Sequence, residues 1–573
     1  MYNFDEIIQR QGTNSVKYEA SKMLYPILPD DFIPMWVADM DFACPQVVLD
    51  AMKNRLDQRI LGYSIIVDPA YYEALGKWMK ERHHWEVDPR TSLFASGVIT
   101  ALRKSVEYLT KKTEGVILHT PAYHPFDDVI QEYGRNTVYS RLIKENGSYS
   151  IDWEDFERKC QDKKNTLFFL CNPHNPTGRV WTKEELIRLG ELCFVNDVFV
   201  VSDEIHFDFM RKGVEHTVFA SLFPNEKRII TCTAPSKTFN LAGNELSNIF
   251  VADSQILQYW KLKHLLGHPT PLSIEACKAA YLYGASWVDA LNQYLDENFQ
   301  VLEERIEKEL PNISFKIPES TYLAWLDMSG CGFTNRELKL RLSHGGIHVQ
   351  YEGEFVENDE AHIRMNIACP RSVLNSALDK MVEILGKDAK PPTKFIEVGE
   401  ILPDAMVDTN QAQATTFSEI AEGKKTVFLF LRYVGCTICR LDLYHLSKRY
   451  HEIEAIGGKV VVVLQSSLEN IIAENLPFPT VSDPTGKLYE QYGVLPAAST
   501  MQILEGNGIE KAMESAKLGM EHGEYEGNEL QLPATIVVDE KMVVTYVHYG
   551  NGAGDIPSVE EMLSHKDLYF TKC

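Results

Sequence analysis

The sequence predicts an α/β protein: a large domain with a mostly parallel sheet and a smaller α/β layer, followed by a second α/β domain. The first observation is an alternation of apolar β-branched runs with amphipathic helical runs from about residue 90 to 285. Its strands are expected at 115–120, 166–171, 198–202 and 228–233. The second observation is a smaller layer, with helices expected at 287–310 and 371–385 and strands at 314–327, 347–351 and 362–367.

The third observation is an independent α/β pattern near the C-terminus. Its strands are expected at 426–433, 459–465 and 534–539, and its main helix at 441–455. Residues 386–393 (GKDAKPPT) are polar and contain two prolines, the composition of an interdomain linker. We therefore expect a first domain over 1–388 (large part about 49–284, small part about 1–48 and 285–388), a linker at 389–394 and a second domain over 395–573.

Composition restricts the class of protein. With 573 residues the chain exceeds one hydrophobic core, and no stretch approaches the roughly 20 continuous apolar residues of a membrane helix. The N-terminus has no secretory signal pattern, so we expect a cytoplasmic protein with no membrane partner. A formal charge of −24 without a basic block argues against nucleic acid as a partner. Eleven scattered cysteines suit reduced thiols.

Residues 233–240 (TAPSKTFN) place a lysine after a predicted buried strand. A desolvated amine loses proton affinity and can form a Schiff base with an aldehyde, although Lys237 taken alone could be an exposed loop lysine. Asp203, in 200–206 (VVSDEIH), ends another apolar strand, at the edge where parallel sheets bind ligands. An acid there can hold a proton on a pyridine nitrogen; alone it could equally be a helix or loop cap.

Three further patterns follow strand ends or lie in a strand. Asn175 belongs to a rigid turn, 171–178 (CNPHNPTG), and can donate to a phenolate oxygen. Residues 95–100 (ASGVIT) form a strand-to-helix junction whose free amides could hold a phosphate. Arg364 lies within an apolar strand, where it requires a carboxylate from a substrate amino acid or from a structural ion pair.

Together these patterns resemble pyridoxal-phosphate (PLP) enzymes of fold type I, the aspartate aminotransferase superfamily. Five segments resemble its cystathionine β-lyase and cysteine-S-conjugate β-lyase branch, called MalY/PatB: 34–42 (PMWVADMDF), 61–64 (LGYS), 119–126 (HTPAYHPF), 320–327 (STYLAWLD) and 366–371 (NIACPR). The resemblance covers residues 1–388. It implies that Lys237 bonds covalently to PLP, Asp203 pairs with the pyridine nitrogen, Asn175 bonds the phenolic oxygen and Tyr123 stacks on the ring.

The resemblance also assigns the two ends of the site. Arg364 should bind the substrate carboxylate, and Ser236 with the backbone near Gly97 and Val98 should hold the phosphate. Tyr63 resembles a tyrosine that reaches the phosphate of a neighbouring subunit, which implies a homodimer.

One position distinguishes the lyase branch from the transaminases. His206 stands where transaminases of this fold usually have a tyrosine facing the phenolic oxygen, and the lyase branch tends to have histidine there. The resemblance thus implies a β-lyase that converts cystathionine or another cysteine S-conjugate to a thiol, pyruvate and ammonia. The alternatives are a class I/II aminotransferase, which uses the same residues, and a PLP-binding regulatory protein.

The C-terminal domain contains a CxxC motif. Residues 428–439 (FLFLRYVGCTIC) run from an apolar strand into a helix, which places Cys436 near the helix N-terminus and stabilises its thiolate. The pair could be half of a zinc site, but no second ligand pair follows at a suitable spacing, so we expect no metal and a redox role for Cys436 and Cys439.

Residues 395–573, including 398–404 (VGEILPD), resemble the AhpC/TSA family of peroxiredoxin-like redoxins, which have a thioredoxin-like fold. Residues 532–539 (LPATIVVD) resemble the segment that supplies a cis-proline beside the thiols. Peroxiredoxins have threonine and proline where this chain has Tyr433 and Leu429, which argues against peroxidase activity. We expect the thiols to act on disulfide substrates, sulfur products or a thiol-redox partner; the alternative is a fold kept for packing or partner binding.

Overall fold

A computed structural model describes residues 2–263, 265–357, 361–391 and 393–570. The chain divides into two compact units: Met1–Glu19, Asp31–Gly332 and Gly345–Ala389 form the first, and Ala20–Asp30, Phe333–His344 and Lys390–Cys573 form the second. The predicted linker at 389–394 includes Pro392, which lies outside the described residues.

The strands alternate with helices along most of the chain. The strands are β1 (Ile33–Pro34), β2 (Ser92–Ala95), β3 (Gly115–Thr120), β4 (Ala122–Tyr123), β5 (Asn136–Glu145), β6 (Ser148–Ile151), β7 (Asn165–Cys171), β8 (Phe199–Asp203), β9 (Ile229–Thr233), β10 (Ser247–Val251), β11 (Leu323–Asp327), β12 (Ile347–His348), β13 (Gln350–Tyr351), β14 (Phe355–Val356), β15 (His362–Asn366), β16 (Met406–Thr409), β17 (Thr415–Thr416), β18 (Thr426–Phe430), β19 (Lys459–Leu464), β20 (Thr480–Ser482), β21 (Ala534–Val538) and β22 (Val544–Tyr549).

The α-helices are α1 (Ser21–Leu24), α2 (Gln46–Leu56), α3 (Pro69–His83), α4 (Val98–Leu109), α5 (Pro125–Glu132), α6 (Trp153–Gln161), α7 (Lys183–Val195), α8 (Pro235–Thr238), α9 (Ser254–Lys263), α10 (Pro271–Tyr283), α11 (Ala285–Glu309), α12 (Asn335–His344), α13 (Arg371–Leu385), α14 (Phe417–Ala421), α15 (Thr437–Ala455), α16 (Leu468–Ala473), α17 (Lys487–Gln491), α18 (Thr500–Ile503), α19 (Gly508–Lys517), α20 (Val559–Ser564) and α21 (Lys566–Tyr569). Within the described residues no helix is both long enough and apolar enough to cross a membrane.

The first unit is built on an eight-stranded sheet in the order β2-β10-β9-β8-β7-β3-β5-β6. The five strands from β9 to β5 are parallel to their neighbours, whereas β10 is antiparallel to both β2 and β9, and β6 is antiparallel to β5. The central strands are buried on both faces, as their continuous apolar sequences require. The expected mostly parallel sheet is therefore present, with antiparallel strands towards its edges.

A smaller antiparallel sheet, β11-β15-β13, belongs to the same unit. The N-terminal strand β1 pairs in parallel with β12, and β14 pairs with β4. Only the end of the strand predicted at 314–327 forms β11, because Pro318 has no N–H to donate and Thr321 has a left-handed backbone with φ of 71°. A single bridge joins Ser314 to Asp327.

The second unit contains a seven-stranded sheet in the order β17-β16-β20-β19-β18-β21-β22. Strands β18, β19 and β20 are parallel, and β21 is antiparallel to β18. The predicted helix at 441–455 begins earlier, at Thr437, because Cys436 caps it: the Sγ of Cys436 accepts from the Cys439 amide. This places Cys436 at the N-cap of α15 and Cys439 in its first turn, after the loop that follows β18.

Candidate active site

The side chains predicted for the first site follow strand ends that meet at one edge of the large sheet. Since β10 is antiparallel to both β2 and β9, β2 runs in the same direction as the parallel strands β9, β8, β7 and β3. Their carboxyl ends therefore share one edge, where ligands bind in open α/β sheets. A cavity of about 460 Å³ opens there, and it is lined by Ser96, Gly97, Val98, Tyr123, Asn175, Asp203, His206, Ser236, Lys237 and Arg364.

Lys237 follows β9 within the short helix α8 and lines the cavity. The Nζ donates to the carbonyl oxygen of Ala38 at 2.7 Å, and the Tyr322 hydroxyl donates to the same oxygen at 2.8 Å. Burial, with the nearby positive charge of Arg364, lowers the pKa of Lys237 to about 8. About a tenth of this amine is thus uncharged at pH 7, far more than for an ordinary lysine, and this form can act as a nucleophile or base.

Asp203 is the last residue of β8 and is buried. Its Oδ1 accepts from the backbone amide of Ile205 at 3.1 Å. Burial raises the pKa of Asp203 to about 7, and Glu204 adds to the increase. A cation placed against this carboxylate would reverse the effect, because an opposite charge favours the ionised form.

Arg364 of β15 is buried, with 2% of its surface exposed. Its guanidinium donates to Asn175 Oδ1 at 2.7 Å and to Gln350, the residue opposite it on β13. Within the described residues it has no carboxylate partner, and its Nε makes no hydrogen bond. Burial lowers the pKa of Arg364 to about 10. A guanidinium held this way is suited to receive a carboxylate from a ligand.

Two rings lie beside these groups. Tyr123 of β4 lines the cavity, and the Arg364 guanidinium carbon lies 5.8 Å from the centre of its ring. His206 follows β8 and is 3% exposed; its Nδ1 makes no hydrogen bond within the described part of the chain. Burial, together with Lys237 and Arg364, holds the pKa of His206 well below its ordinary value, so the ring is neutral.

The other end of the cavity is formed by backbone and hydroxyl groups. Gly97 is the N-cap of the twelve-residue helix α4, and Val98 begins it. Ser236 lies in α8 and also lines the cavity. Amides at the start of a helix and a serine hydroxyl are donors that favour an anion. The predicted phosphate-binding residues are thus brought together with Lys237 around one cavity.

Tyr63 is the one predicted residue of this group outside the cavity. It lies between α2 and α3 with its side chain fully exposed, at 107% of the reference area. Ala38, Tyr322 and Gln350 were not predicted as site residues. Two of them fall in the quoted segments 34–42 and 320–327, whereas Gln350 is identified only by its pairing with Arg364 across two strands.

The thiols of the second unit are buried within an apolar core cluster, with the Arg432 guanidinium beside them. Cys436 is 0% exposed and Cys439 1%, and both are free cysteines. The hydrogen bond from the Cys439 side chain is the main cause that lowers the pKa of Cys436 to about 7; Arg432, which donates to the Cys436 Sγ at 2.8 Å, also lowers it. Burial raises the pKa of Cys439 well above its ordinary value. Of the two thiols, Cys436 is therefore the one whose thiolate form is favoured.

Residues 520–529, which we call the cover segment, lie against the CxxC turn. The Gly523 amide donates to the Gly435 carbonyl at 2.8 Å, and Arg432 donates to the Glu529 carbonyl at 2.6 Å. A Cβ on Gly435 would lie 2.2 Å from the Glu524 carbonyl oxygen, so only glycine allows this approach. Tyr433 bonds to Glu529 and His522 of the same segment. The cover segment thus packs against the turn that carries Cys436.

One expectation for this unit is wrong. The cis peptide bonds of the described residues precede Pro121, Pro173 and Pro176, so the Leu532–Pro533 bond is not cis. The cover segment contacts the residues just before Cys436. No cluster of three or more metal-ligating side chains occurs within the described residues.

Comparison with known proteins identifies the family. Residues 30–381, more than half of the chain, match the family aminotransferase class I and II. The chain belongs to this family. Residues 398–547 match the AhpC/TSA family. The predicted family relationships and fold classes of both parts are thereby confirmed.

The chain is similar to proteins named as carbon–sulfur lyases. It is 39% identical over 388 residues to cystathionine beta-lyase PatB of Bacillus subtilis, and the matched region covers 66% of this chain and 98% of that protein. It is 42% identical to the PLP-bound C-S lyase of Staphylococcus hominis, with a TM-score of 0.64 over 67% of this chain and 98% of that structure. Cystalysin of Treponema denticola, solved with pyridoxal 5'-phosphate, is 32% identical with a TM-score of 0.65 over 67% of this chain and 99% of that structure.

Proposed function

We propose that this protein is a PLP-dependent carbon–sulfur β-lyase that cleaves cystathionine or a related cysteine S-conjugate to a thiol, pyruvate and ammonia. Its C-terminal unit carries an appended thiol-redox function. The relatives named cystathionine β-lyase and the PLP-bound C-S lyase structure bear out the predicted reaction class and cofactor. The cavity that joins Lys237, Asp203 and Arg364 is the observation that carries the proposal.

The residues around the cavity fit PLP. The amine of Lys237, with its lowered pKa, suits the aldehyde of PLP. The buried carboxyl of Asp203 suits the ring nitrogen, and the amides at the start of α4 together with Ser236 suit the phosphate. The buried Arg364 guanidinium, which has no carboxylate partner within the described residues, leaves a place for the carboxylate of an amino acid. When bound, PLP supplies an aldehyde that bonds the substrate amine and a ring that accepts the electron pair released at Cα.

Each side chain then has one task. Lys237 removes the Cα proton of the substrate once its amine is free, and its lowered pKa makes the uncharged base accessible near neutral pH. Asp203 keeps a proton on the ring nitrogen. Arg364 binds the substrate carboxylate and orients Cα towards Lys237. Asn175 bonds the phenolic oxygen of the cofactor and is held in place by Arg364.

Tyr123 and His206 complete the proposed site. Tyr123 supplies a flat apolar face at the cavity wall, against which the cofactor ring stacks. The neutral His206 can accept or donate one hydrogen bond at the phenolic side without adding a charge. Loss of the Cα proton and of the thiolate at Cβ, followed by addition of water, gives one thiol, one pyruvate and one ammonium ion per substrate.

The partners and location are part of the proposal. The fully exposed Tyr63 supports a homodimer in which it reaches the phosphate end of the neighbouring subunit's cavity. The low pKa of Cys436 and the buried Cys439 support a dithiol that acts on a disulfide substrate or on a thiol-redox partner. We place the protein in the cytoplasm, where reduced cysteines persist.

The test is pyruvate and thiol release from cystathionine by the PLP-loaded protein without a keto acid. We expect one pyruvate per thiol, and loss of both in Lys237→Ala. Lys278→Ala is the matched control, because Lys278 pairs with Asp68 and does not line the cavity. Amino transfer on addition of a keto acid, without pyruvate from cystathionine, would instead identify a transaminase.

A further inference from the structure

A buried carboxylate, that of Asp208, is bonded to the residue that follows Lys237. Thr238 ends the short helix α8, and its hydroxyl donates to Asp208 Oδ2 at 2.6 Å. The other carboxylate oxygen, Oδ1, lies 2.9 Å from Nε2 of His83, the last residue of α3. All three side chains of this cluster are buried, and none of them lines the cavity. The cluster therefore contacts α8 from outside the cavity.

The histidine of this cluster holds the carboxylate in place. Burial lowers the pKa of His83, so its ring is neutral near neutral pH and carries one N–H. Because a carboxylate only accepts hydrogen bonds, that proton lies on Nε2 and is donated to Asp208 Oδ1. The same ring stacks on Phe207, with ring centres 3.9 Å apart and planes 8° from parallel. Asp208 is thus fixed by His83 through one oxygen and accepts from Thr238 through the other.

The segment 203–208, which contains Asp208, is also anchored near its start. Glu204 is buried and accepts three hydrogen bonds, from the Ser202 hydroxyl, the Phe219 amide and His216 Nε2. None of these three bonds involves α8. Asp203, the first residue of the segment, lines the cavity. The segment that presents Asp203 to the cavity is therefore fixed within the first unit independently of the helix that carries Lys237.

The helix α8 has few constraints of its own. It is four residues long, Pro235–Thr238, and both Ser236 and Lys237 line the cavity. A helix of one turn has too few backbone hydrogen bonds to be stable alone, so contacts with its surroundings determine its position. The bond from Thr238 to Asp208 joins it to the anchored segment. One buried hydrogen bond thus links the part of the chain that carries Lys237 to the part that carries Asp203.

We propose that Asp208 is a positioning residue that holds α8 through Thr238, so that the amine of Lys237 stays aligned with the substrate Cα. The inference rests on the proposed lyase function of the cavity. Lys237 removes the Cα proton after its amine has been released, when only the position of α8 and the cavity walls hold its side chain. A displacement of about 1 Å at a reacting group can cost about 100-fold in rate. Asp208 acts on the reaction only through Thr238 and α8.

Two substitutions of Thr238 separate the hydrogen bond from the size of the side chain. Valine has nearly the same shape without the donor, whereas serine keeps the hydroxyl. In Thr238→Val we expect kcat for pyruvate formation from cystathionine to fall by about 10–100-fold. KM should be unchanged, because Arg364, which is proposed to bind the substrate carboxylate, is unaltered. Thr238→Ser should stay within about threefold of the wild type in both constants.

An isotope effect shows which step is slowed. Cystathionine with deuterium at Cα is compared with the ordinary substrate in the wild type and in Thr238→Val. We expect the ratio of the two rates to be larger in Thr238→Val, because removal of the Cα proton then limits turnover more strongly. A change that only destabilised the fold would lower the amount of active protein and leave this ratio as it is.

A further measurement requires no turnover. Cofactor-free protein is mixed with PLP, the reaction is stopped at successive times with borohydride, and the cofactor fixed to Lys237 is counted by peptide mass spectrometry. We expect Thr238→Val and Asp208→Ala to capture PLP about tenfold more slowly than the wild type, and Thr238→Ser at the wild-type rate. The double variant of Asp208→Ala and Thr238→Val should be no slower than Asp208→Ala, because both changes break the same bond.

Asp127→Ala is the matched control. Asp127 is also a buried carboxylate of the first unit that accepts from a threonine hydroxyl, that of Thr137, but it does not line the cavity. Its bonds have no connection to α8. We expect this variant to be less stable than the wild type in a denaturant titration, with kcat and the rate of PLP capture unchanged.

The proposal is overturned if Thr238→Val keeps kcat and the capture rate within about threefold of the wild type. An equal loss in Thr238→Ser, or additive losses in the double variant, would overturn it as well. Should Asp208→Ala fail to fold, the two Thr238 substitutions decide. If the wild type captures PLP on Lys237 but forms no pyruvate, the lyase function fails, and the capture rates alone then decide on Asp208.

Discussion

Replacing Arg364 by methionine separates substrate binding from folding. The guanidinium is buried and bonds to Asn175 and Gln350, with no carboxylate partner within the described residues. If it binds the substrate carboxylate, the change removes two charge-assisted hydrogen bonds worth about 1.5–3 kcal/mol each. The sum of about 3–6 kcal/mol corresponds to a loss of about 10²–10⁴-fold in kcat/KM. Since the carboxylate is bound before and during the reaction, most of the loss should be a rise in KM.

The same substitution should have little effect on stability. Burial of the charge lowers the pKa of Arg364 to about 10, a displacement that corresponds to about 3 kcal/mol of unfavourable free energy in the folded protein. Methionine removes this cost but leaves the side-chain oxygens of Asn175 and Gln350 without a donor, at about 1–3 kcal/mol each. The two effects oppose each other, so the unfolding midpoint should remain close to that of the wild type.

The assay couples pyruvate formation from cystathionine to lactate dehydrogenase, and a denaturant titration follows unfolding. Arg211→Met is the matched control: Arg211 is 9% exposed and its pKa is also lowered to about 10, but it pairs with Asp296 at 2.7 Å away from the cavity. We expect that variant to be less stable because Asp296 loses its partner, with KM unchanged. If Arg364→Met retains kcat/KM within about threefold of the wild type, the carboxylate-binding role is refuted.

Three further outcomes are expected. In cofactor-free protein burial raises the pKa of Asp203 to about 7. Between about pH 4 and pH 7 the native state therefore keeps a proton on this carboxyl that the unfolded state has released. The free energy of unfolding consequently falls as the pH rises through this range. Asp203→Asn should therefore be more stable than the wild type at pH 8, by up to about 4 kcal/mol, and not at pH 4; equal gains in urea titrations at both pH values would contradict this. Alkylation of Cys436 by iodoacetamide, read by peptide mass spectrometry, should have a midpoint near pH 7, and Cys439→Ala should move it upward; an unmoved midpoint would show that the Cys439 hydrogen bond does not set this pKa. Gly435→Ala should displace the cover segment and speed that alkylation, because its Cβ would lie 2.2 Å from the Glu524 oxygen; slower or equal alkylation would refute a covering role.

Much of the first site could be predicted because its residues follow strands in short, local patterns. Lys237, Asp203 and Asn175 come within a few residues of the ends of β9, β8 and β7, and the parallel order of these strands brings the ends together. The apolar character of the strands is sufficient to locate them. Strand limits were also close: the strand predicted at 115–120 is observed as Gly115–Thr120.

The unpredicted parts depend on pairings between distant segments. Gln350 meets Arg364 through the register of β13 and β15, which no local pattern specifies. Likewise, the carbonyl of Ala38 receives Lys237 from a separate part of the chain. In the second unit, the cis bond expected at Leu532–Pro533 was inferred from resemblance to a segment, whereas the contact with the CxxC turn is made by the cover segment.

The directions of the pKa shifts support the division of roles in both units. Burial alone favours the neutral form of every group, so it lowers the pKa of Lys237 and raises that of Asp203. A base must be neutral to accept a proton, and burial helps Lys237 in that task. In the proposed role Asp203 is charged when it holds the ring nitrogen, and a cation bound in the cavity would favour that charged form by lowering its pKa again. Cys436 needs no such ligand, because Cys439 and Arg432 already favour its thiolate. In the proposed function, bound cofactor therefore favours the charged form of Asp203, whereas the thiolate of Cys436 is favoured by residues of the protein itself.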